Sequence, residues 1–229
     1  MKFGSITTGI IADGLIFNMD AANRASYVPN ATTSYNTLDL SNNGSLQDTG
    51  MYSSENGGTW VFDGIDDYIS CMDNTALDLT STLTLNCWIN PSSVSGWDAI
   101  MYKNKQWTWG AYHMGLNPSG YLSGGVGDSN WRTVQSTSNV LTTGDWQSIG
   151  MTWDNSLTTL ILYKNGVAIK TDSSFGPYTI NGNNNPLVIG MQNNIEWYSG
   201  KIANAQIYNR AISATEILHN YNALKGRFI

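Results

Sequence analysis

The sequence predicts an all-β protein of antiparallel sheets, arranged as a sandwich or a barrel, with one short helix at the C-terminus. Short runs of alternating apolar and polar residues are broken every ten or so residues by Asn, Gly, Asp, Ser or Pro, the spacing typical of such folds. An Asn-Gly pair joins two of these runs, which is a strong hairpin signal. The one helical pattern lies near the end of the 229-residue chain. Alternating strand–helix units are therefore excluded.

About a dozen segments carry the strand pattern. In 82–91 every second residue from Leu83 to Ile89 is apolar, counting Cys87, which places these residues on one face and Trp88 on the other. Pro91 ends that strand. The other predicted strands are 15–20, 59–62, 68–71, 99–103, 112–116, 121–126, 132–137, 148–154, 159–163, 167–171, 187–190 and 201–208.

Two turns and one helix have specific local signals. Asn165-Gly166 predicts a type I′ hairpin, because both central residues of that turn need positive φ. Pro118 to Gly120 predicts a second tight turn. Ser213 and Glu216 form a capping box, so the helix should run from Ser213 to Lys225. Its apolar stripe consists of Ile217, Leu218, Tyr221 and Leu224.

The chain divides into three parts around one core. Residues 1–12 lack a strand or helix pattern and are predicted to be an N-terminal arm that orders on a partner. Residues 13–210 form the β-domain, and residues 211–229 form a helix and tail packed on it. The start of the chain does not resemble a secretory signal, so folding in a cytosol is expected. Cys71 and Cys87 are expected to be buried thiols.

The composition is polar without being ionic. Charged residues make up 12% of the chain, whereas Asn, Ser, Thr and Gly together account for 94 of 229 residues. The net charge of −6 excludes a nucleic-acid partner, because phosphate binding needs a concentrated basic face. Apolar runs are shorter than the roughly 18 residues of a membrane span, so no membrane partner is expected.

Several motifs resemble those of the laminin-G-like branch of the concanavalin A-like lectin and glucanase superfamily. The most specific are WVFDGIDDYIS at 60–70 and IYNRAIS at 207–213. The resemblance implies a two-sheet antiparallel jelly-roll sandwich of about 14 strands that binds glycans or proteins, often with calcium, and that is sometimes catalytic. The segments 13–27 and 216–228 are also similar to stand-alone proteins encoded by tailed bacteriophages.

Glycoside hydrolysis is the first chemistry to consider, since the superfamily contains glucanases. It needs two carboxylates about 5 to 9 Å apart. The chain has three Glu, at 55, 196 and 216, and no strand carries two acids at alternate positions. In the related glucanases the acids lie in an E-x-D-x-x-E run, which this sequence lacks. We therefore predict that the protein is not an enzyme.

A calcium site is predicted at the turn that contains Asp63, Asp66 and Asp67. Calcium prefers several carboxylate and carbonyl oxygens from a tight, Gly-containing turn. The family resemblance allows Asp20 as a further ligand. The alternative is structural, because Asp in an Asp-Gly turn accepts hydrogen bonds from its own loop amides.

Glycan binding suits the composition better, because sugars are held by aromatic faces and by neutral hydrogen-bonding groups. Trp131 and Trp197 are the strongest candidates, since they lie in Gly- and Asn-rich loops. Trp107 and Trp109 share one face, which could equally belong to the core. Trp60, Trp88, Trp146 and Trp153 lie in predicted strands and are assigned to packing. The full set of glycan candidates is Trp97, Trp107, Trp109, Tyr112, Asp128, Asn130, Trp131, Asn193, Asn194 and Trp197.

Together these features predict a non-enzymatic structural or adhesion protein of a phage virion, such as a capsid decoration or a fibre-associated module. Its expected partners are surface glycans, other virion proteins and further copies of itself. Two alternatives remain open. One is a glycan-degrading depolymerase, and the other is a purely structural coat protein without a ligand.

Overall fold

The computed structural model describes residues 9–103, 111–127, 130–178, 180 and 184–229. Within these ranges the chain forms two eight-stranded antiparallel sheets, a two-stranded hairpin and one α-helix. The two-sheet antiparallel sandwich confirms the predicted all-β jelly roll with its C-terminal helix.

The first sheet, sheet A, has the order β14-β13-β12-β7-β18-β5-β4, and β1 pairs with the second half of β18. At the centre β7 pairs with β18 from Thr84 to Pro91 and with β12 from Thr82 to Ile89. The strands of sheet A are β1 (Leu15–Asp20), β4 (Tyr52–Ser53), β5 (Thr59–Asp63), β7 (Thr82–Pro91), β12 (Gln147–Asp154), β13 (Thr159–Lys164), β14 (Val167–Asp172) and β18 (Ser199–Tyr208).

The second sheet, sheet B, has the order β11-β10-β9-β8-β15-β6-β3-β2. A separate hairpin, β16 (Met191–Gln192) and β17 (Glu196–Trp197), follows its strand β15. The strands of sheet B are β2 (Thr33–Ser34), β3 (Gly44–Leu46), β6 (Ile69–Cys71), β8 (Asp98–Lys103), β9 (Tyr112–Leu116), β10 (Leu122–Gly127), β11 (Trp131–Gln135) and β15 (Leu187–Ile189).

The main core lies between the two sheets. The apolar side of β7, from Leu83 to Ile89, faces it as predicted, and Cys71 and Cys87 are buried free thiols. Trp60 and Trp153 also belong to this core. Trp88 is fully buried on the opposite face of sheet A, so both faces of this sheet are covered.

The helix α1 (Ala214–Lys225) and the tail after it cover that opposite face. The Trp88 ring lies 4.3 Å from the Phe228 ring and 5.5 Å from the Tyr221 ring, stacked on both. Trp146 also contacts Phe228, but it precedes β12 instead of lying within a strand. The prediction of a strand position for Trp146 was therefore wrong, although its packing role holds.

The local sequence signals correctly predicted both turns and the start of the helix. Asn165 and Gly166 have φ of 49° and 80°, and Gly120 has φ of 73°. Ser213 caps α1 in a complete capping box with Glu216. The predicted apolar stripe was wrong at Leu218, which is 42% exposed.

Asn220 occupies the buried position on the helix instead. Its side chain donates to Tyr208 Oη and accepts from the Ile11 amide, at 2.9 and 2.8 Å. Tyr208 in turn donates to the Ile11 carbonyl. Residues 9–12, part of the predicted N-terminal arm, therefore contact the helix, while residues 1–8 lie outside the described residues. In the part of the chain that the structure describes, no helix combines the length and apolar character of a membrane span.

Candidate functional site

On strands β9 to β11 of sheet B, the face that points away from the core is polar and poor in side-chain bulk. Along β9 the residues Tyr112, Met114 and Leu116 enter the core, so His113 and Gly115 point to the other side. The same alternation in β10 and β11 directs Ser123, Gly125, Thr133 and Gln135 outward. Neutral hydrogen-bonding groups and glycines therefore form this face.

Close backbone approach explains the two glycines. A Cβ at Gly115 would lie 2.5 Å from the Asp98 carbonyl oxygen, and one at Gly125 would lie 1.8 Å from the Arg132 carbonyl oxygen. Neither strand position tolerates a side chain. Gly115 lies on the floor of a cleft of about 320 Å³, a size at the lower end of small-ligand sites.

The walls of the cleft come from two segments outside the β9–β11 floor. One is the start of β8 with the residue before it, and the other is the β16–β17 hairpin. Together they add two carboxylates and one exposed aromatic ring. The residues that line the cleft are Trp97, Asp98, Ala99, His113, Met114, Gly115, Leu116, Ser123, Thr133, Gln135, Gln192 and Glu196.

Asp98 is the unusual group in the cleft. It is 6% exposed, and among the described residues no hydrogen-bond donor reaches its Oδ2 atom. Burial, with a smaller contribution from the charge of Glu196, raises the pKa of Asp98 from 3.8 to about 6. Burial also raises the pKa of Glu196. Two carboxylates thus share one cleft, and the charge of Glu196 disfavours the ionisation of Asp98.

His113 contributes a neutral imidazole to the floor. Burial lowers its pKa to about 3, so the ring carries no charge at neutral pH. Its Nε2 atom lies 3.5 Å from the Thr133 hydroxyl. The floor therefore offers hydrogen-bonding groups, but His113 carries no positive charge that could neutralise Asp98 or Glu196.

Among the predicted glycan contacts whose side chains the structure describes, Trp97 is the one that lines the cleft, and it is 50% exposed. Trp197 lies beside the cleft on β17 and is half-buried against Tyr68, with ring centres 6.0 Å apart. Asn193 and Asn194 form the β16–β17 turn, with φ of 57° and 55°. The structure thus gives these two asparagines a backbone role next to Gln192 and Glu196.

Tyr112 was wrongly predicted as a glycan contact. It is fully buried in the core, and its hydroxyl donates to the Leu77 carbonyl at 3.1 Å. Asn130 is exposed just before β11, in which Trp131 is the first residue. Trp107, Trp109, Asp128 and the Trp131 side chain lie outside the described residues, and their glycan contacts stay predictions.

Three of the four predicted calcium ligands lie together at the end of β5 and in the loop after it. Carboxylate oxygens of Asp63, Asp66 and Asp67 lie within 4.8 Å of one another, a donor set that suits a hard cation. Asp67 accepts a hydrogen bond from the Asp63 amide, and Asp63 accepts from the Ile65 and Asp66 amides. Calcium at this aspartate cluster stays a prediction.

Asp20 does not join the aspartate cluster, so its prediction as a calcium ligand was wrong. Its buried carboxylate is bound by Arg227, whose Nη1 lies 2.8 and 3.0 Å from the two oxygens. No local sequence pattern indicates this pair, because 207 residues separate the partners.

Sequence reasoning also missed most of the cleft. The outward positions Ser123, Thr133 and Gln135 follow from the strand alternation that predicts the core, so that signal was present. Asp98 and Glu196 had no such signal, because only the tertiary fold brings the β16–β17 hairpin next to β8. The prediction that the protein is not an enzyme rested on the lack of two acids within one strand. Asp98 and Glu196 lie on different strands, and the fold brings them to one cleft.

Comparisons with known proteins agree with this architecture. A family model described as the concanavalin A-like lectin/glucanases superfamily matches residues 63–218. No curated protein matches the chain. The solved structures with a similar fold include three at 15 to 19% sequence identity.

Two of the three are toxin binding domains. The receptor binding domain of botulinum neurotoxin C/D mosaic serotype gives a TM-score of 0.70 at 15% identity, with 93% of this chain and 52% of that chain covered. The binding domain of Paraclostridial Mosquitocidal Protein 1 gives 0.67 at 17%, with 92% and 52% covered. This chain thus spans about half of each toxin binding domain.

The third is domain 4 of AbnA, a GH43 extracellular arabinanase from Geobacillus stearothermophilus, in complex with arabinotriose. The TM-score is 0.58 at 19% identity, and the match covers 78% of this chain and 81% of that domain. Unlike the toxin domains, this neighbour has a length close to that of the present chain.

Proposed function

We propose, from the premise that this chain belongs to the concanavalin A-like lectin/glucanase superfamily, that it is a carbohydrate-binding protein that acts without catalysis. The observation that carries the proposal is the cleft on sheet B. It combines a neutral hydrogen-bonding floor with the exposed Trp97 ring at its edge. A sugar needs both elements, because its C–H face packs on an aromatic ring while its hydroxyls exchange directional hydrogen bonds.

The cleft provides these hydrogen bonds from fixed groups. Ser123, Thr133 and Gln135 lie on paired strands, so their backbones are held by the sheet. Gly115 pairs with Ser123 on the cleft floor and adds no side chain there. The similarity in fold to an arabinotriose-bound domain of comparable length supports the same class of ligand.

A glycan array followed by calorimetry tests the proposal. With a neutral oligosaccharide that binds on the array, or with arabinotriose, Trp97→Ala should weaken binding about tenfold. Tyr35→Ala is the matched control, since Tyr35 is also an exposed aromatic residue but is not among the cleft residues. Equal affinities of the Trp97→Ala protein and the wild type would contradict the placement of the site.

The biological setting that we propose is a tailed-phage virion, where the protein acts as a capsid decoration or a fibre-associated adhesion module in many copies. The support is the sequence resemblance of segments 13–27 and 216–228 to phage proteins. These segments meet in the fold, because Arg227 binds Asp20. Copurification with purified particles tests this setting. A glycan array without hits, together with cosedimentation on capsids, would instead favour a purely structural coat protein.

A glycan-degrading enzyme is the second candidate, because Asp98 and Glu196 line one cleft. A glycosidase needs one protonated and one ionised carboxyl group beside the scissile bond. Incubation with bacterial polysaccharides separates the two functions. Release of reducing ends that is lost in the Asp98→Asn and Glu196→Gln proteins would overturn the non-catalytic proposal.

A further inference from the structure

Two aspartates are buried in the described part of the chain, and they differ in one respect. Asp20 is neutralised by Arg227 at 2.8 Å. Asp98 is 6% exposed, yet it has no ion-pair partner among the described residues, and its Oδ2 atom has no hydrogen-bond donor there. A buried carboxylate without a partner costs several kcal/mol. The fold therefore leaves at Asp98 a charge that a ligand can satisfy.

The surroundings of Asp98 add to its negative potential. Glu196 lines the same cleft, and its charge is felt at Asp98. Among the described residues that line the cleft there is no Lys or Arg, and His113 is neutral. Elsewhere the acidic residues Glu216, Glu55 and Asp73 are paired with Arg or Lys side chains. The aspartate cluster also has no such partner among the described residues, but its side chains are largely exposed, whereas Asp98 is buried.

We propose that the cleft contains a subsite for an ammonium group, and that its preferred ligands are glycans with a free primary amine, such as non-acetylated hexosamine units. This inference rests on the proposed glycan-binding function. An ammonium group donates three hydrogen bonds, so it can satisfy the free Asp98 oxygen and approach Glu196 as well. Hydrogen bonds between two charged groups are about twice as strong as neutral ones.

An ammonium-bearing sugar fits this cleft better than a metal ion does. Calcium takes six to eight oxygen ligands, whereas the described cleft supplies two carboxylates. Trp97 precedes Asp98 and lies half-exposed in the same cleft. An aromatic face packs against a sugar ring and also attracts a nearby cation. A hexosamine offers the ring and the cation in one unit.

The experiment compares three trisaccharides by calorimetry at pH 7 and low salt: the glucosamine trimer, the N-acetylglucosamine trimer and the glucose trimer. We expect the glucosamine trimer to bind at least tenfold more tightly than the other two. Asp98→Asn should abolish that preference, and Glu196→Gln should reduce it. High salt should also weaken the preference, because screening acts on the charged contact.

Two controls keep the result interpretable. Glu55→Gln removes an acidic residue outside the cleft, and the preference should be unchanged in that protein. The melting temperature of each variant shows that it is folded. Equal binding of the three trimers, or tighter binding of the N-acetylated one, would overturn the ammonium subsite and leave the glycan-binding function intact. Absence of binding to these trimers and to every glycan on the array would overturn both.

Discussion

The pair formed by Arg227 and Asp20 gives the sharpest test of how the C-terminal tail is held. Arg227 binds both Asp20 oxygens through Nη1 at 2.8 and 3.0 Å, and its other nitrogens donate to the Asn56 and Gly58 carbonyls. The Asp20 side chain is 3% exposed and that of Arg227 11%. Arg227→Ala would therefore leave a buried carboxylate without its cation.

The expected cost is large for a single substitution. Removal of one partner from a buried ion pair costs about 3 to 5 kcal/mol, against a total stability of roughly 5 to 15 kcal/mol for a native protein. For a chain of this length that corresponds to a fall in melting temperature of about 6 to 20 °C. Calorimetric or fluorescence-detected unfolding measures it directly.

The pH dependence gives an independent readout. Burial already raises the pKa of Asp20, while the charge of Arg227 opposes the rise. Without Arg227 the folded state keeps the Asp20 proton to higher pH than the unfolded state does, so stability falls as pH increases above about 4. The destabilisation by Arg227→Ala should thus be smallest in acid and should grow toward neutral pH.

Arg210→Ala is the matched control, because Arg210 also pairs with a carboxylate, Glu216 at 2.6 Å, but both side chains are more than a quarter exposed. An exposed ion pair contributes about 1 kcal/mol or less. If Arg227→Ala shifts the melting temperature no more than Arg210→Ala does, or if its effect is independent of pH, the buried pair does not hold the tail as we argue.

Three further predictions concern the cleft, one turn and the aspartate cluster. Because the folded-state pKa of Asp98 is about 6 against an ordinary 3.8, stability should fall as pH rises between about 4 and 6. Asp98→Asn should remove that fall and stabilise the protein by about 1 to 2 kcal/mol above pH 6, after allowance for solvent screening; parallel pH profiles for the two proteins would contradict this. Gly166→Ala should destabilise the protein, measured by denaturant unfolding, by about 1 kcal/mol more than Gly144→Ala, because the added methyl group would be overpacked. Both glycines have φ near 80°, but a Cβ at Gly166 would lie 2.9 Å from Leu218, whereas one at Gly144 would meet nothing within 4 Å; equal losses would be inconsistent with the contact. If the aspartate cluster binds calcium, titration of chelator-treated protein should release or absorb heat and raise the melting temperature, and a flat trace with unchanged melting temperature would remove the prediction.

Features that depend on neighbouring residues could be predicted from the sequence. The I′ turn at Asn165-Gly166 needs only two residues that tolerate positive φ, and the capping box needs only Ser213 and Glu216. The alternation of apolar and polar residues in β7 likewise predicted which face of the strand lies in the core. The short strands β2, β3, β4, β16 and β17 were missed, because two or three residues are too few to show a period.

Features that depend on distant partners could not be predicted in this way. Asn220 is buried because Ile11 and Tyr208 satisfy its amide group, and a helical pattern alone assigns such a polar residue to solvent. Aromatic residues in loops are typical glycan contacts, and this criterion predicted Trp97 and residues of the β16–β17 hairpin. The polar floor was overlooked, since small residues such as Ser123 do not stand out in a chain rich in Ser, Thr, Asn and Gly.

Asp20 and Asp98 have different roles. We assign Asp20 to the stability of the fold and Asp98 to ligand binding. Both side chains are buried. Asp20 pairs with Arg227, whereas Asp98 has no cationic partner among the described residues. Removal of the first charge pair should therefore cost stability, whereas Asp98→Asn should increase stability and lose the preference for an amine. A buried carboxylate that the described fold leaves without a cation is typical of a binding or catalytic site. In a chain with only 12% charged residues, an unneutralised acidic pair on an otherwise neutral cleft is thus better explained by a ligand than by the packing of the sheet.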